Sequence, residues 1–233
     1  MAHKSTPSLR SFTRKLLAWY ARAARDLPWR RTRDPYRIVV SEFMLQQTQV
    51  ARVAEYYPRF LARFPTVERL ARARPQAVRE AWEGLGYYAR ASNLHALARV
   101  VSRDFAGELP DDPQKLIELP GVGRYTAGAV ASFAYEKPVP AVDTNVARVI
   151  GRTFFGERGA GSGSIRQRQV WEAAAKIVPK NGKRAWTFNQ AMMELGALVC
   201  VARKPRCPAC PVRADCRTGR RLSAASGSAP RAG

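Results

Sequence analysis

Leu119-Pro120-Gly121-Val122-Gly123-Arg124-Tyr125-Thr126-Ala127 is the stretch from which the fold is read. A helical apolar period over 113–119 stops at Pro120, two glycines one residue apart make a tight turn, and a new period begins at Tyr125. Glycines at 121 and 123 permit positive φ and a close approach of the backbone to a partner. The amides after such a turn open a helix N-terminus, where unsatisfied N–H groups and the helix dipole seat a phosphate. Contacts of that kind grip a nucleic-acid strand without reading its sequence. An ordinary helical hairpin also favours glycine, so the rest of the chain has to decide between the two uses.

Outward from the hairpin, apolar residues recur at three and four spacings in 9–24, 38–61, 66–73, 77–83, 90–104, 113–119, 125–135, 144–154, 168–178 and 185–201. The breaks carry Pro or Gly, as at Leu27-Pro28, Phe64-Pro65, Arg74-Pro75, Gly84 and Gly86, Leu109-Pro110 and Pro138 to Pro140. No segment alternates as a strand does; Pro138 and Pro140 flank Val139, and neither can donate to a ladder. The expected fold class is all-α. The first helix presents Leu9, Phe12, Leu16, Trp19 and Tyr20 at core-facing spacing. Gly156 to Ser164 reads as a flexible surface loop and 219–233 as a disordered basic tail.

The chain has 233 residues, 46% of them hydrophobic and 25% charged, which suits a globular protein with a real core. Forty Lys and Arg against 18 Asp and Glu give a formal net charge of +22. That excess costs self-repulsion which a polyanion relieves, nucleic acid first and an anionic membrane surface second. A plain solubility charge is the bland alternative. The longest apolar run, Leu195 to Ala202, is far short of the roughly 18 residues a membrane span needs. The N-terminus has no signal-peptide core, because Arg10, Arg14 and Lys15 interrupt it.

All four cysteines fall in one run, Cys200-x6-Cys207-x2-Cys210-x5-Cys216. Without a secretory signal, a metal site is a better reading than disulfides. Zinc ribbons use two C-x2-C pairs, and this run has one. Four thiolates in a compact run suit a cubane iron–sulfur cluster; a structural zinc knuckle is the alternative. Arg203, Lys204 and Arg206 stand in the first inter-cysteine loop, where they could meet phosphates.

Two carboxylates are isolated. Glu42 is the only ionisable side chain between Arg37 and Arg52, and Asp143 the only one between Lys137 and Arg148. Placed inside, Glu42 has apolar neighbours that favour its protonated form and make it a general acid. Placed behind Ser41 at a helix start, it is merely a dipole partner. On a continuous helix, Gln46 and Gln49 share its face, while Gln47 lies with Phe43 and Val50. Asp143 stands where a helix N-cap belongs, and helix amides would keep it ionised to face a developing cation. A protonated and an ionised carboxyl are the pair that glycoside cleavage uses.

The chain resembles the MutY-type adenine DNA glycosylases of the helix-hairpin-helix, endonuclease III-like superfamily. The resemblance rests on LPWR (27–30), DPY (34–36), SEFMLQQTQV (41–50), WEGLGYYARASNLH (82–95), LPGVGRYTAGAV (119–130), VDTNVARV (142–149), FNQAMMELGALVC (188–200) and the cysteine run, and spans about residues 9 to 218. It implies two helical lobes flanking a DNA cleft: a six-helix barrel over 27–132, and a cluster lobe from 1–26 plus 133–218. It implies a [4Fe–4S] cluster on Cys200, Cys207, Cys210 and Cys216. Glu42 and Asp143 match the catalytic acid and the cation-stabilising carboxylate, with Tyr125 and Asn145 in support. Trp29, Arg30, Val50 and Gln190 fall at the adenine pocket. Gln47 and Tyr87 fall where side chains wedge into the duplex, and Gly121, Val122 and Gly123 at the phosphate-binding hairpin.

Bifunctional relatives carry Lys at the hairpin position of Tyr125, an amine that attacks the sugar. Tyrosine cannot form a Schiff base, so the resemblance implies hydrolysis by water, an abasic product and little or no lyase activity. Thr144 stands where many family members have Gly; endonuclease III relatives have Thr there. The C-terminal domain that helps such enzymes recognise oxidised guanine is expected to be absent. The implied partner is double-stranded DNA containing a mispair, with a monomeric protein in the cytoplasm at the nucleoid and no membrane role. Two alternatives stand beside adenine excision. One is a thymine or uracil glycosylase acting on mispairs with guanine, against which QQTQV at 46–50 and Gln190 are adenine-type. The other is a non-catalytic iron–sulfur DNA-binding module, against which the two carboxylates argue.

Overall fold

The computed structural model describes residues 8–156 and 164–226. These form α1 (Leu9–Ala23), α2 (Pro35–Leu45), α3 (Val50–Arg63), α4 (Val67–Ala71), α5 (Pro75–Ala81), α6 (Ala89–Asp104), α7 (Pro113–Leu116), α8 (Arg124–Phe133), α9 (Thr144–Ile150), α10 (Ser164–Ile177), α11 (Gly182–Leu198) and α12 (Arg217–Ser226). No strand occurs among the described residues, so the chain is all-α there. No helix among them is long and apolar enough to cross a membrane. The helix starts follow capping chemistry. Ser8, Asp34, Thr66, Asp112, Asp143 and Asn181 each accept a backbone N–H of the first turn, and Pro occupies the first position of α2, α5 and α7.

The chain divides into two compact units, Arg25–Lys137 and Met1–Ala24 with Pro138–Gly233. These limits lie a few residues from those expected, and local bonds explain the shift. Arg30 Nη1 donates to the Arg25 carbonyl at 3.0 Å and Arg31 pairs with Asp26, which ties 25–26 to the first of these units. At the other end Lys137 N donates to the Ala131 carbonyl and Lys137 Nζ pairs with Asp111 at 2.6 Å, so the segment after α8 stays with its helix.

Unit 25–137 contains α2 to α8, seven helices among the described residues where six were expected. The expected continuous helix over 38–61 is broken: α2 ends at Leu45 and α3 begins at Val50. Its core joins Phe43, Phe60, Leu70, Trp82, Leu94, Leu97 and Leu116, all essentially without solvent contact. Phe60 meets Trp82 edge to face at 5.8 Å, a favoured aromatic arrangement.

The other unit buries Phe12, Leu16 and Tyr20 of α1 with Val146, Val149 and Ile150 of α9 and Phe188, Met192 and Leu195 of α11. Leu9, expected to face inward, is 43% exposed; Phe12, Leu16 and Tyr20 are buried in that core, and Leu17 and Trp19 pack against it partly buried. After α9 the backbone widens into a π-helical turn at Gly151–Phe155. After α11 the cysteine loop carries 3-10 turns at Cys207–Ala209 and Arg213–Asp215. Asp215 ties this loop to α1 by accepting from Ser11 Oγ at 3.2 Å and Lys15 Nζ at 2.7 Å.

The expected disordered tail is corrected over 219–226, which is helical in α12. The start of that helix is stitched to the rest of its unit: Arg220 N donates to the Cys216 carbonyl, Thr218 Oγ1 to the Arg152 carbonyl at 2.9 Å, and Arg221 Nη1 to the Gly156 carbonyl at 3.1 Å. Residues 227–233 lie outside the described residues, as do 157–163 of the expected loop.

Candidate active site and four-cysteine loop

Glu42 is 5% exposed, at the eighth position of α2. Its neighbours Ile38, Val39, Val40, Phe43 and Met44 are buried with it. Asp34 caps the helix instead, accepting Arg37 N at 3.1 Å, so the reading of Glu42 as a helix-start residue is excluded. What remains is a carboxyl in an apolar helix interior. The break after Leu45 also removes the expected helical phase for Gln46, Gln47 and Gln49. These residues form the link to α3, and Gln47 is exposed with φ +56°. A left-handed residue without Gly or Pro leaves no mark in an apolar periodicity.

The hairpin rests on the same helix. Gly121 has φ +74°, and a Cβ there would stand 2.7 Å from Asn93 Cβ and 2.9 Å from Phe43 Cε1. Gly123 differs from expectation: its φ of −93° suits any residue, and a Cβ on it would meet nothing within 4 Å. Gly121 is thus glycine for conformation and contact. Gly123 caps α8 over open space, where an outside group can approach the amides. Val122 is buried and donates its N–H to the Leu119 carbonyl. Tyr125 lies half-buried in the first turn of α8.

Trp29 is buried, its ring edge to face with Tyr57 at 5.7 Å, and Val50 is half-buried at the start of α3. With Arg30 they share a unit with Glu42, whereas Gln190, buried on α11, shares one with Asp143.

Asp143 caps α9: Oδ1 accepts Val146 N at 2.7 Å and Oδ2 accepts Asn145 Nδ2 at 2.9 Å. Asn145 Oδ1 accepts Arg148 Nη2 at 2.7 Å, and Arg148 Nε donates to the Cys200 carbonyl at 2.7 Å. Arg152 Nη1 reaches Cys200 Sγ at 3.5 Å and the Val201 carbonyl at 2.7 Å. An unbroken hydrogen-bonded chain therefore joins the candidate carboxylate to the first cysteine. Gly196 permits it, since a Cβ there would stand 2.6 Å from Asn145 Cβ. Asn189 fixes the approach to Asp143 by donating to the Val139 carbonyl and accepting from Ala141 N.

The amides do not settle the ionisation of Asp143 as expected. Desolvation by the surrounding protein raises its carboxyl above the ordinary aspartate value, although Val146 N, Asn145 and the Arg148 charge all pull it down.

Cys200, Cys207, Cys210 and Cys216 line one partly open cavity, together with apolar Val149, Leu195, Val199 and Val212. Among the described residues no three His, Cys, Asp or Glu converge on a point that a single ion could occupy. Four cysteines around one cavity are a ligand set consistent with an iron–sulfur group. Burial pushes the Cys210 thiol up to about 12 and raises Cys207, a cost to free thiolates that ligation to a metal would offset.

Arg90, Arg148 and Arg152 escape a reading of the sequence. In a chain with 40 Lys and Arg, the buried Arg90 and Arg152 and the half-buried Arg148 look like surface ones.

Residues 40–180 match the HhH-GPD superfamily base excision DNA repair protein family. An adenine DNA glycosylase of Mycobacterium tuberculosis is 49% identical over 198 residues, covering 84% of this chain and 64% of that relative. The chain thus spans less than two thirds of the length of that relative. A solved thermostable thymine-DNA glycosylase superposes with TM-score 0.83 at 32% identity, covering 91% of this chain and 97% of that one. Endonuclease III in a non-covalent DNA complex superposes with TM-score 0.77 at 28% identity, over 93% and 97%. The chain belongs to the HhH-GPD superfamily of base excision DNA repair proteins, and its adenine DNA glycosylases are among its relatives.

Proposed function

We propose that this chain is a monofunctional DNA glycosylase that extrudes mispaired adenine, opposite 8-oxoguanine or guanine, from duplex DNA and hydrolyses its N-glycosidic bond. The observation that carries this reading is the placement of the two carboxyls that stand apart from other charges in the sequence. One is buried inside an apolar helix and the other is fixed by an N-cap and an Asn–Arg relay.

Adenine leaves poorly as an anion. Glu42, as the neutral acid, gives its proton to N7 of the base; the C1′–N9 bond breaks and its electron pair leaves with adenine. Positive charge develops on the sugar, where ionised Asp143 stabilises it, with Asn145 holding the carboxylate in place. Water adds at C1′ and gives up a proton. Tyr125 supplies no amine, so the product is an abasic site in an intact strand. Trp29, Arg30, Val50 and Gln190 are assigned to the extruded adenine, Gln47 and Tyr87 to the space it leaves, and Gly121 to Gly123 to a backbone phosphate. The chain is assigned to act as a monomer on duplex DNA in the cytoplasm.

Cys200, Cys207, Cys210 and Cys216 would hold a [4Fe–4S] cluster. The bound cluster supplies cross-linking that fixes the loop bearing Arg203, Lys204 and Arg206. The purified protein is expected to be brown, with broad visible absorbance and iron and sulfide in equal amounts; colourless protein loaded with zinc overturns this assignment.

The likeness to the thymine-DNA glycosylase favours a second reading, excision of thymine or uracil opposite guanine. Duplexes carrying A, T or U opposite guanine or 8-oxoguanine separate the two. Cleavage of the A strand alone, and only after alkali, is the expected result. Cleavage of T or U strands supports the second reading, and cleavage without alkali refutes hydrolysis by water.

A further inference from the structure

Arg90, on the first turn of α6, is 7% exposed, and no acidic side chain among the described residues pairs with it. Its guanidinium instead donates to backbone carbonyls from two loops. Nη1 donates to Phe43 O at 3.0 Å, Met44 O at 2.8 Å and Gln46 O, the bare end of α2. Nη2 donates to Leu85 O at 3.1 Å and Gly86 O at 3.0 Å, and Nε to Tyr87 O at 3.4 Å. The same guanidinium lies 5.5 Å from the centres of both the Trp82 and the Tyr87 rings.

The two loops share a second peculiarity. Each carries an exposed non-glycine residue in the left-handed region, Gln47 at φ +56° and Tyr87 at φ +47°. Such backbone persists only where its surroundings over-determine it. Tyr87 is 62% exposed, the most exposed large hydrophobic side chain among the described residues. Two costly features, strained backbone and an apolar ring in water, are therefore set on either side of one buried charge.

We infer that Arg90 is a positioning residue: it clasps the end of α2 and the link after it (43–47) to the 85–87 loop as a single preformed wedge, so that Gln47 and Tyr87 enter the duplex together. The inference rests on the proposed role of those two side chains. The planar fork suits the task, because it presents five donors in fixed directions and holds its charge among carbonyl dipoles; a lysine ammonium is a point charge and cannot span both loops. Arg90 touches no reacting atom and acts through the loops.

The test is a mutant cycle on the full chain, read as single-turnover excision from an A:8-oxoguanine duplex at saturating protein. Arg90→Gln is expected to slow excision about 10²-fold, as a misplaced positioning group does. In that background Gln47→Ala and Tyr87→Ala should each cost less than about twofold, although each slows the wild type; this non-additivity marks groups acting as one unit. Additive losses overturn the clasp, as does full rescue by Arg90→Lys. Hydrogen exchange on the wild-type chain supplies a readout should the variants fail to fold. Amides of 46–48 and 85–88 are expected to share one opening rate, and rates more than about tenfold apart overturn the clasp. A wild-type chain that excises no adenine sinks the proposed function instead, and the exchange measurement then still decides whether the loops move as one.

Discussion

Glu42→Gln is expected to bind duplex DNA as the wild type does and to excise almost nothing. The substitution keeps the side chain's length and volume at a position 5% exposed, so the packing of α2 is retained. It removes only the transferable proton. A positioned general acid is worth about 10²–10⁴ in rate, and adenine depends on it heavily because it leaves so poorly unprotonated. Single-turnover excision and a binding titration on the same duplex check the two halves, with circular dichroism as the control on folding. Wild-type turnover ends the general-acid assignment. Lost binding together with lost turnover makes Glu42 a structural residue.

The isolation that singled out Glu42 in the sequence has a structural counterpart. A charge absent for several residues on either side belongs to a segment that is buried all round, and Tyr36 and Ile38 to Met44 are so buried. Asp143 was legible for a second reason, since an acid just before an apolar helical period is where a cap belongs, and it caps α9. The cysteines were legible because thiolates from one short run can reach one cavity.

Other features left weaker marks. The break at 46–49 leaves no sequence mark because its left-handed residue, Gln47, is neither Gly nor Pro, and the carbonyl of Gln46 before it accepts from Arg90, 44 residues away. The link from Asn145 through Arg148 to Cys200 joins α9 to the cysteine loop 52 residues further on, and no local pattern reports a contact of that range. Gly123 misled in the opposite direction. Its neighbour Gly121 needs the left-handed region, whereas Gly123 adopts an ordinary conformation and leaves room for something outside the chain. The small and basic residues of 219–226 predict disorder, but the first turn of that helix is fixed by bonds to Arg152 and Cys216 that composition cannot show.

Asp143→Asn separates the two roles that one residue plays. Asparagine caps helices as well as aspartate does, so α9 should keep its start and stability should change by less than about 1 kcal/mol. The negative charge is lost, and with it the electrostatic partner of the sugar cation, so excision should fall by about 10²–10³. The acid side of the pH profile gives a finer test. Desolvation holds the Asp143 carboxyl above the ordinary aspartate value of 3.8, and only the ionised form serves the cation. Activity should therefore decline as pH falls through that raised value, earlier than for an exposed aspartate. The stability linked to this group runs the other way. The folded protein binds the proton more tightly than the unfolded chain, so its contribution grows as pH falls across the same window. Asn145 pulls the carboxyl down through its 2.9 Å hydrogen bond. Asn145→Ala should then move the acid limb to higher pH, while Asp143→Asn should abolish it. An acid limb that stays in place in Asn145→Ala would mean that some other group sets the profile, and the assignment of Asp143 as the charge facing the sugar would fall with it.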